Sequence, residues 1–229
     1  MRISATLSLG RSRYGLSLPL IFAVCLYGLI AGHGGAVLHD PDTYLHIAIG
    51  RWIMAHRAVP FHGIFSGTMA QAPWVAHEWL GEVLLARLFD AFGWAGLVAV
   101  TAFCAAASLA MLLRQLLRSL LPVHAMIATA LAVTLVIPHV LARPHVFTLP
   151  ILVLWAAGLV RARDEDRAPA AWLAALMALW ANLHGGYLFG LGLTGLLAAE
   201  AVLLAPDWRS RRRAAAGWAF FGALAVGAA

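Results

Sequence analysis

Apolar residues form long runs along this chain, separated by short polar segments. Seven runs are candidate membrane-crossing helices: residues 16–38, 91–113, 123–141, 147–160, 170–183, 187–204 and a partial last run at 214–229. A helix of about 20 apolar residues crosses the hydrocarbon core of a bilayer. The pattern therefore predicts an all-α, polytopic transmembrane helical bundle of about six or seven spans, forming one integral-membrane domain over residues 1–229.

The fifth and sixth runs could instead form one long helix, which would reverse the sidedness of everything that follows. Gly185-Gly186 lies between them. Paired glycines disfavour a helix interior because of their backbone freedom. We therefore predict a break at this point.

Residues 39–90 form the longest connection, and its length favours a functional role. Asp40 is a good cap for a helix, and Asp42 falls in the first turn, where the helix dipole favours negative charge. The following apolar spacing predicts an amphipathic helix to about His56. A second surface helix is predicted to begin at Trp74 and to run into the second span.

Composition supports a membrane location and excludes other classes. Of the 229 residues, 62% are hydrophobic and 11% are charged, whereas soluble domains are about 25% charged. All 16 basic residues are arginines, and they are dispersed, so the net charge of +6 does not indicate nucleic-acid binding. Cys25 and Cys104 lie in apolar runs and are interpreted as core residues.

Arginine positions predict the orientation. Twelve of the 16 arginines lie before the first run and after the second, fourth and sixth, which are segments on one side if the spans alternate. The positive-inside rule makes that side, and the N-terminus, cytoplasmic. Three polar clusters then share the outer face: Asp40 to His46, Arg143-Pro144-His145, and Asn182 to Gly186.

The acidic cluster is the first candidate site. Capping a helix needs only one acidic residue, but the segment contains two, Asp40 and Asp42. The second acid favours a functional site over capping alone. His77-Glu78 lacks the second histidine of the zinc-protease motif, and we reject that function. Asp40, Asp42, His46, His77 and Glu78 could together supply metal ligands. Their oxygens suit magnesium or manganese and their imidazoles suit zinc, but no spacing is diagnostic.

The other candidates suit phosphate or substrate binding. They are Arg143, His145, His184, Asn182, His77 and Glu78. A guanidinium binds phosphate through a fork of donors. The alternatives are structural: an interfacial anchor for Arg143, polar packing between helices for Asn182, and an ion pair between Glu78 and Arg87. His46 and His56 are interpreted as surface residues, and Glu200 is expected to face Arg209 to Arg213.

Several of these motifs resemble a known class of enzymes. A first helix that ends in Asp40-Pro41-Asp42-Thr43-Tyr44, followed by a long outer loop with two surface helices, resembles the GT-C class of integral-membrane glycosyltransferases. The segment 71–80 is similar to a proline-containing stretch before the second span of some members. Segments 40–94, 143–145 and 180–186 also resemble a group of bacterial multispanning proteins without an assigned reaction.

The resemblance implies a reaction and a location. Such enzymes transfer a sugar from a polyprenyl-phosphate carrier to an acceptor on the outer, periplasmic face of the bacterial inner membrane. An acid in the first outer loop acts as a base or orients the acceptor, and in some members it binds a divalent cation such as magnesium or manganese. Carried over, that acid is Asp42 or Asp40. The chain is shorter than these enzymes, so it is expected to be the N-terminal part of one.

Two other functions remain as alternatives. A non-catalytic membrane subunit or scaffold derived from the same fold would explain the short chain. A transporter would predict charges near the middle of the spans, and their centres are nearly free of charge. The expected partners are a polyprenyl-phosphate-linked sugar and membrane lipid, without nucleic acid, and the acceptor is unassigned.

Overall fold

The protein is described from a computed structural model, which covers residues 17–69 and 72–229. Arg2, Arg11, Arg13 and Gln71, which entered the predictions, lie outside the described residues. Within the described ranges the chain forms nine α-helices and no strand. The helices are α1 (Leu18–Gly32), α2 (Gly34–Val37), α3 (Asp42–His56), α4 (Trp79–Leu116), α5 (Pro122–Val136), α6 (Thr148–Asp164), α7 (Leu173–Leu183), α8 (Tyr187–Leu204) and α9 (Trp208–Ala228). The predicted all-α class is confirmed for this part of the chain.

In the described part of the chain, four segments are long and apolar enough to cross a membrane: Trp79–Leu116, Pro122–His139, Pro144–Asp164 and Tyr187–Leu204. The α1 and α7 helices are also apolar but have only 15 and 11 residues. At 1.5 Å per residue, a helix of 15 residues is about 23 Å long, less than the hydrocarbon thickness of about 30 Å. The long helices are compatible with a membrane protein, and the predicted number of six or seven spans stays a prediction.

The second predicted surface helix begins later than the sequence suggested. Residues 74–78 are irregular, and α4 begins at Trp79 and continues for 38 residues. A helix of that length measures about 57 Å, far more than a bilayer core. Gly93, with φ of 60°, interrupts the helical backbone close to residue 91, where the second span was predicted to begin. The first part of α4 therefore precedes the run 91–113 that the sequence predicted as the second span, and it is available to build a polar site.

The predicted break at Gly185-Gly186 is confirmed, because α7 ends at Leu183 and α8 begins at Tyr187. The core has two main apolar clusters. One joins α1, α3 and α4, and the other joins α6, α7, α8 and α9. The α5 and α8 helices keep exposed apolar side chains on their outer faces, including Ile127, Leu131, Leu196 and Leu203. Such faces suit contact with lipid.

Candidate functional site

A polar cavity lies at one end of the helical bundle. It has a volume of about 530 Å³. Five parts of the chain meet there: helix α3, the irregular segment 74–78, the beginning of α4, the α5–α6 turn and the α7–α8 turn. The polar side chains that line the cavity are His46, His77, Glu78, Glu82, His139, Arg143, His145 and His184. The tertiary structure thus brings together three predicted clusters that are far apart in the sequence.

Arg143 lies between the two predicted acids. One of its Nη atoms is 3.1 Å from a carboxylate oxygen of Asp40, and the other donates a hydrogen bond to Asp42. Asp40 also accepts a hydrogen bond of 2.9 Å from the backbone N–H of Asp42, at the beginning of α3. The N-cap position of α3 is Pro41 and not Asp40, but Asp40 combines a hydrogen bond to the first N–H of α3 with an ion pair. Neither acid is among the residues that line the polar cavity, and the Asp42 side chain is half-exposed.

Glu78 pairs with two histidines, so the structural alternative of an ion pair with Arg87 does not describe its position. Its Oε1 accepts a hydrogen bond from Nδ1 of His184 and lies 3.5 Å from Nε2 of His77. Burial acts to raise the pKa of Glu78, but the hydrogen bond and charge of His184, with smaller contributions from His46 and His77, outweigh it and hold the pKa below its ordinary value. Glu78 is therefore ionised at neutral pH.

His46 and Glu82 form a second imidazole–carboxylate pair. Nδ1 of His46 lies 3.2 Å from Oε1 of Glu82, and Glu82 is only 2% exposed. The interpretation of His46 as a surface residue is wrong, and Glu82 was not predicted. Its spacing from Glu78 was an available signal, because residues four apart share one face of a helix.

Of the other predicted site residues, His145 lines the polar cavity, whereas Asn182 packs between helices. Nε2 of His145 lies 2.9 Å from the carbonyl of His139, and its ring is 6.0 Å from that of His184. Asn182 accepts a hydrogen bond of 2.7 Å from Trp79 Nε1. It is not among the cavity residues, so the structural alternative for Asn182, polar packing between helices, describes its position.

Glu200 also differs from expectation. Its carboxylate is 3.1 Å from a guanidinium nitrogen of Arg163, so it joins α8 to α6 and does not face Arg209 to Arg213 as predicted. Among the residues that the structure describes, no group of three or more histidine, cysteine or acidic side chains is arranged to hold a metal ion. In the cavity, Glu82 contacts His46, and Glu78 contacts both His184 and His77.

Comparisons with known proteins give no assignment: no protein-family model, curated protein or solved structure matches this chain.

Proposed function

We propose that this protein is a GT-C-like glycosyltransferase, or the N-terminal part of one. It transfers a sugar from a polyprenyl-phosphate carrier to an acceptor on the outer face of the bacterial inner membrane. The observation that carries the proposal is the polar cavity, in which a guanidinium and two imidazole–carboxylate pairs lie together at one end of helices apolar enough to span a membrane.

The reaction needs positive charge for the departing phosphate and a base for the acceptor. Arg143 supplies the first. It has five N–H donors, of which its contacts with Asp40 and Asp42 engage the two Nη groups. In the transfer, the bond between the anomeric carbon and the phosphate oxygen breaks, and a bond to the acceptor oxygen forms. The acceptor's proton passes to a base of the protein, and polyprenyl phosphate leaves.

The distribution of arginines supports the outer face as the location of the reaction. Arg114, Arg161 and Arg163 lie in the last turns of α4 and α6, at the ends away from the polar cavity, and Arg118 and Arg167 follow those ends. The cytoplasmic loops of membrane proteins are rich in such residues. The lipid carrier would then lie beside apolar helices with its phosphate at the level of Arg143.

A specific observation favours one alternative, a non-catalytic membrane subunit. Arg143 is already paired with two carboxylates that join the beginning of α3 to the α5–α6 turn. Such an ion cluster can act as a purely structural connection. It would then hold two parts of the bundle together without binding a substrate.

Native mass spectrometry of the purified protein separates these functions. We expect the wild-type protein to retain polyprenyl phosphate or its sugar adduct, whose mass identifies the sugar class. Arg143→Ala should reduce lipid retention by about tenfold or more, since a hydrogen bond to a charged group contributes about 1.5–3 kcal/mol. Asp42→Asn should retain the lipid.

Arg51→Ala is the matched control, because Arg51 also pairs with an aspartate, Asp90, but outside the polar cavity. Its lipid retention should equal that of the wild type. Absence of the lipid from a folded, monodisperse wild-type protein would favour the subunit function.

A further inference from the structure

Glu82 is an unusually placed acid. Its side chain is almost completely buried, and among the described residues Oε1 has one hydrogen-bond partner, the imidazole of His46. Oε2 is buried as well and has no hydrogen-bond partner within residues 17–69 and 72–229. A buried polar group without a hydrogen-bond partner destabilises the folded state. A carboxylate kept at such a position, on the wall of a polar cavity, is more consistent with a function than with packing.

Helices α3 and α4 approach each other closely beside His46 and Glu82. Glu82 lies in the first turn of α4, where the helix dipole favours negative charge. Gly50 of α3 packs directly onto that turn, and a Cβ atom added at Gly50 would lie 2.1 Å from the backbone oxygen of Glu82. His46 precedes Gly50 by one helical turn, so the same contact brings its imidazole to Glu82.

The contact between His46 and Glu82 suits one arrangement of the imidazole. A carboxylate accepts hydrogen bonds, so we assign to His46 the tautomer in which Nδ1–H donates to Oε1 of Glu82. Nε2 then carries a free lone pair. In the described part of the chain this atom has no hydrogen-bond partner, and His46 lines the polar cavity. A carboxylate-oriented imidazole with a free Nε2 is the arrangement of a general base.

We propose that His46, oriented by Glu82, is the base that accepts the proton of the acceptor hydroxyl, an inference that rests on the glycosyltransferase function proposed above. As the acceptor oxygen forms its bond to the anomeric carbon, the hydroxyl proton moves to Nε2 of His46. The electron pair of the broken glycosyl–oxygen bond stays on the phosphate, which Arg143 binds. His46 then releases the proton to solvent, and Glu82 acts as a positioning residue throughout.

This assignment differs from the one that the family resemblance implies, in which Asp42 or Asp40 is the base. Both aspartates are paired with Arg143 and lie outside the residues that line the cavity. The other imidazole–carboxylate pair is less defined, because Glu78 is shared between His184 and His77.

The test uses the full chain in lipid vesicles with lipid-linked sugars extracted from bacterial membranes, and measures the release of polyprenyl phosphate by mass spectrometry. His46→Ala should lower the turnover by about 100-fold or more, the usual contribution of a general base. The affinity for polyprenyl phosphate alone should not change. Added imidazole should restore turnover to His46→Ala, and Glu82→Gln should lower turnover with unchanged affinity.

His56→Ala is the control, since His56 lies on the same helix, is exposed and stacks on Trp52 away from the cavity. It should behave as the wild type. If His46→Ala does not fold, His46→Gln replaces it with a side chain of similar size.

The outcomes distinguish the two proposals. Turnover by the wild type with undiminished turnover by His46→Ala, or a loss caused only by His184→Ala or Asp42→Asn, overturns His46 as the base and leaves the glycosyltransferase function standing. A wild-type protein that binds no polyprenyl phosphate, or binds it and releases none from any lipid-linked sugar, overturns both.

Discussion

Arg143 connects two parts of the chain that are a hundred residues apart. Its partner Asp40 is the more buried acid, with a side chain 12% exposed, whereas Asp42 is 51% exposed. The pair with Asp40 should therefore matter more for stability, since solvent screens exposed ion pairs. Asp40 would lose its cation if Arg143 were removed, while its bond to the backbone of Asp42 would remain.

We expect Arg143→Ala to reduce the free energy of unfolding by about 1–2 kcal/mol, because it leaves a largely buried carboxylate without its cation. Thermal unfolding in detergent measures the change. Arg51→Ala, which removes an ion pair exposed on both sides, should change stability by less than about 1 kcal/mol. Equal effects of the two variants would contradict the structural importance of the buried pair.

Glu78 makes stability depend on pH in a defined direction. Its pKa in the folded protein is below the ordinary value of 4.5, so its contribution is complete above that value and is lost as the pH falls through the folded pKa. At neutral pH, Glu78→Gln should cost about 1 kcal/mol through its weaker hydrogen bond to His184.

The difference in melting temperature between the wild type and Glu78→Gln should shrink as the pH falls below the ordinary pKa of 4.5 and through the lower folded pKa. Glu165→Gln, at a half-exposed surface pair with Arg167, is the control and should show little difference at any pH. A difference that grows as the pH falls would contradict the lowered pKa.

At the scale of the elements, the contact between α3 and α4 decides the geometry of the site. The two helices approach so closely at Gly50 that any side chain there would collide with the backbone of Glu82. Backbone atoms cannot move aside as a flexible side chain can. The position of His46 over Glu82 therefore depends on a glycine one turn away.

Gly50→Ala should destabilise the protein by about 2–3 kcal/mol, which is the upper part of the usual range for overpacking, and should separate His46 from Glu82. The melting temperature measures the loss of stability. The loss of polyprenyl-phosphate release measures the separation of His46 from Glu82. Gly192→Ala is the control, because a Cβ atom there meets nothing within 4 Å and alanine favours helix. A neutral Gly50→Ala would mean that the helices lie further apart.

At the scale of the whole molecule, the polar cavity and most of the arginines lie at opposite ends of the long helices. The Arg163–Glu200 pair, at 3.1 Å, joins the far ends of α6 and α8. The helices between the two ends carry exposed apolar faces. This arrangement suits a protein that crosses a membrane with its site at one surface.

Cysteine labelling tests this orientation. In a background with Cys25 and Cys104 replaced, His62→Cys should react with a membrane-impermeant maleimide added to intact spheroplasts, because residue 62 is in the loop beside the cavity. Ser119→Cys, at the other end of α4, should react only after permeabilisation. The reverse pattern would place the polar cavity on the cytoplasmic side and would contradict the proposed location of the reaction.

The sequence predicted the bounds of the helices more closely than it predicted which side chains contact one another. Residues 187–204 were identified as a helix with the bounds that α8 has, and α3 ends at His56 as expected. Hydrophobic runs and glycine breaks are local signals, so they can be read along the chain. The beginning of α4 was placed five residues too early, because Trp74 to Glu78 is apolar enough to resemble a helix but is irregular.

The sequence by itself determined that the chain is helical and apolar, where its helices break, and that Arg143, His145 and His184 lie at the same end of the bundle as Asp40 and Asp42. Those properties follow from the spacing and alternation of residues. Only the tertiary structure decided the pairing: Arg143 with the two aspartates, Glu78 with His184, and Glu82 with His46. These pairs depend on how closely the helices pack, which is set by contacts such as that of Gly50 with the backbone of Glu82 and not by any pattern along one helix.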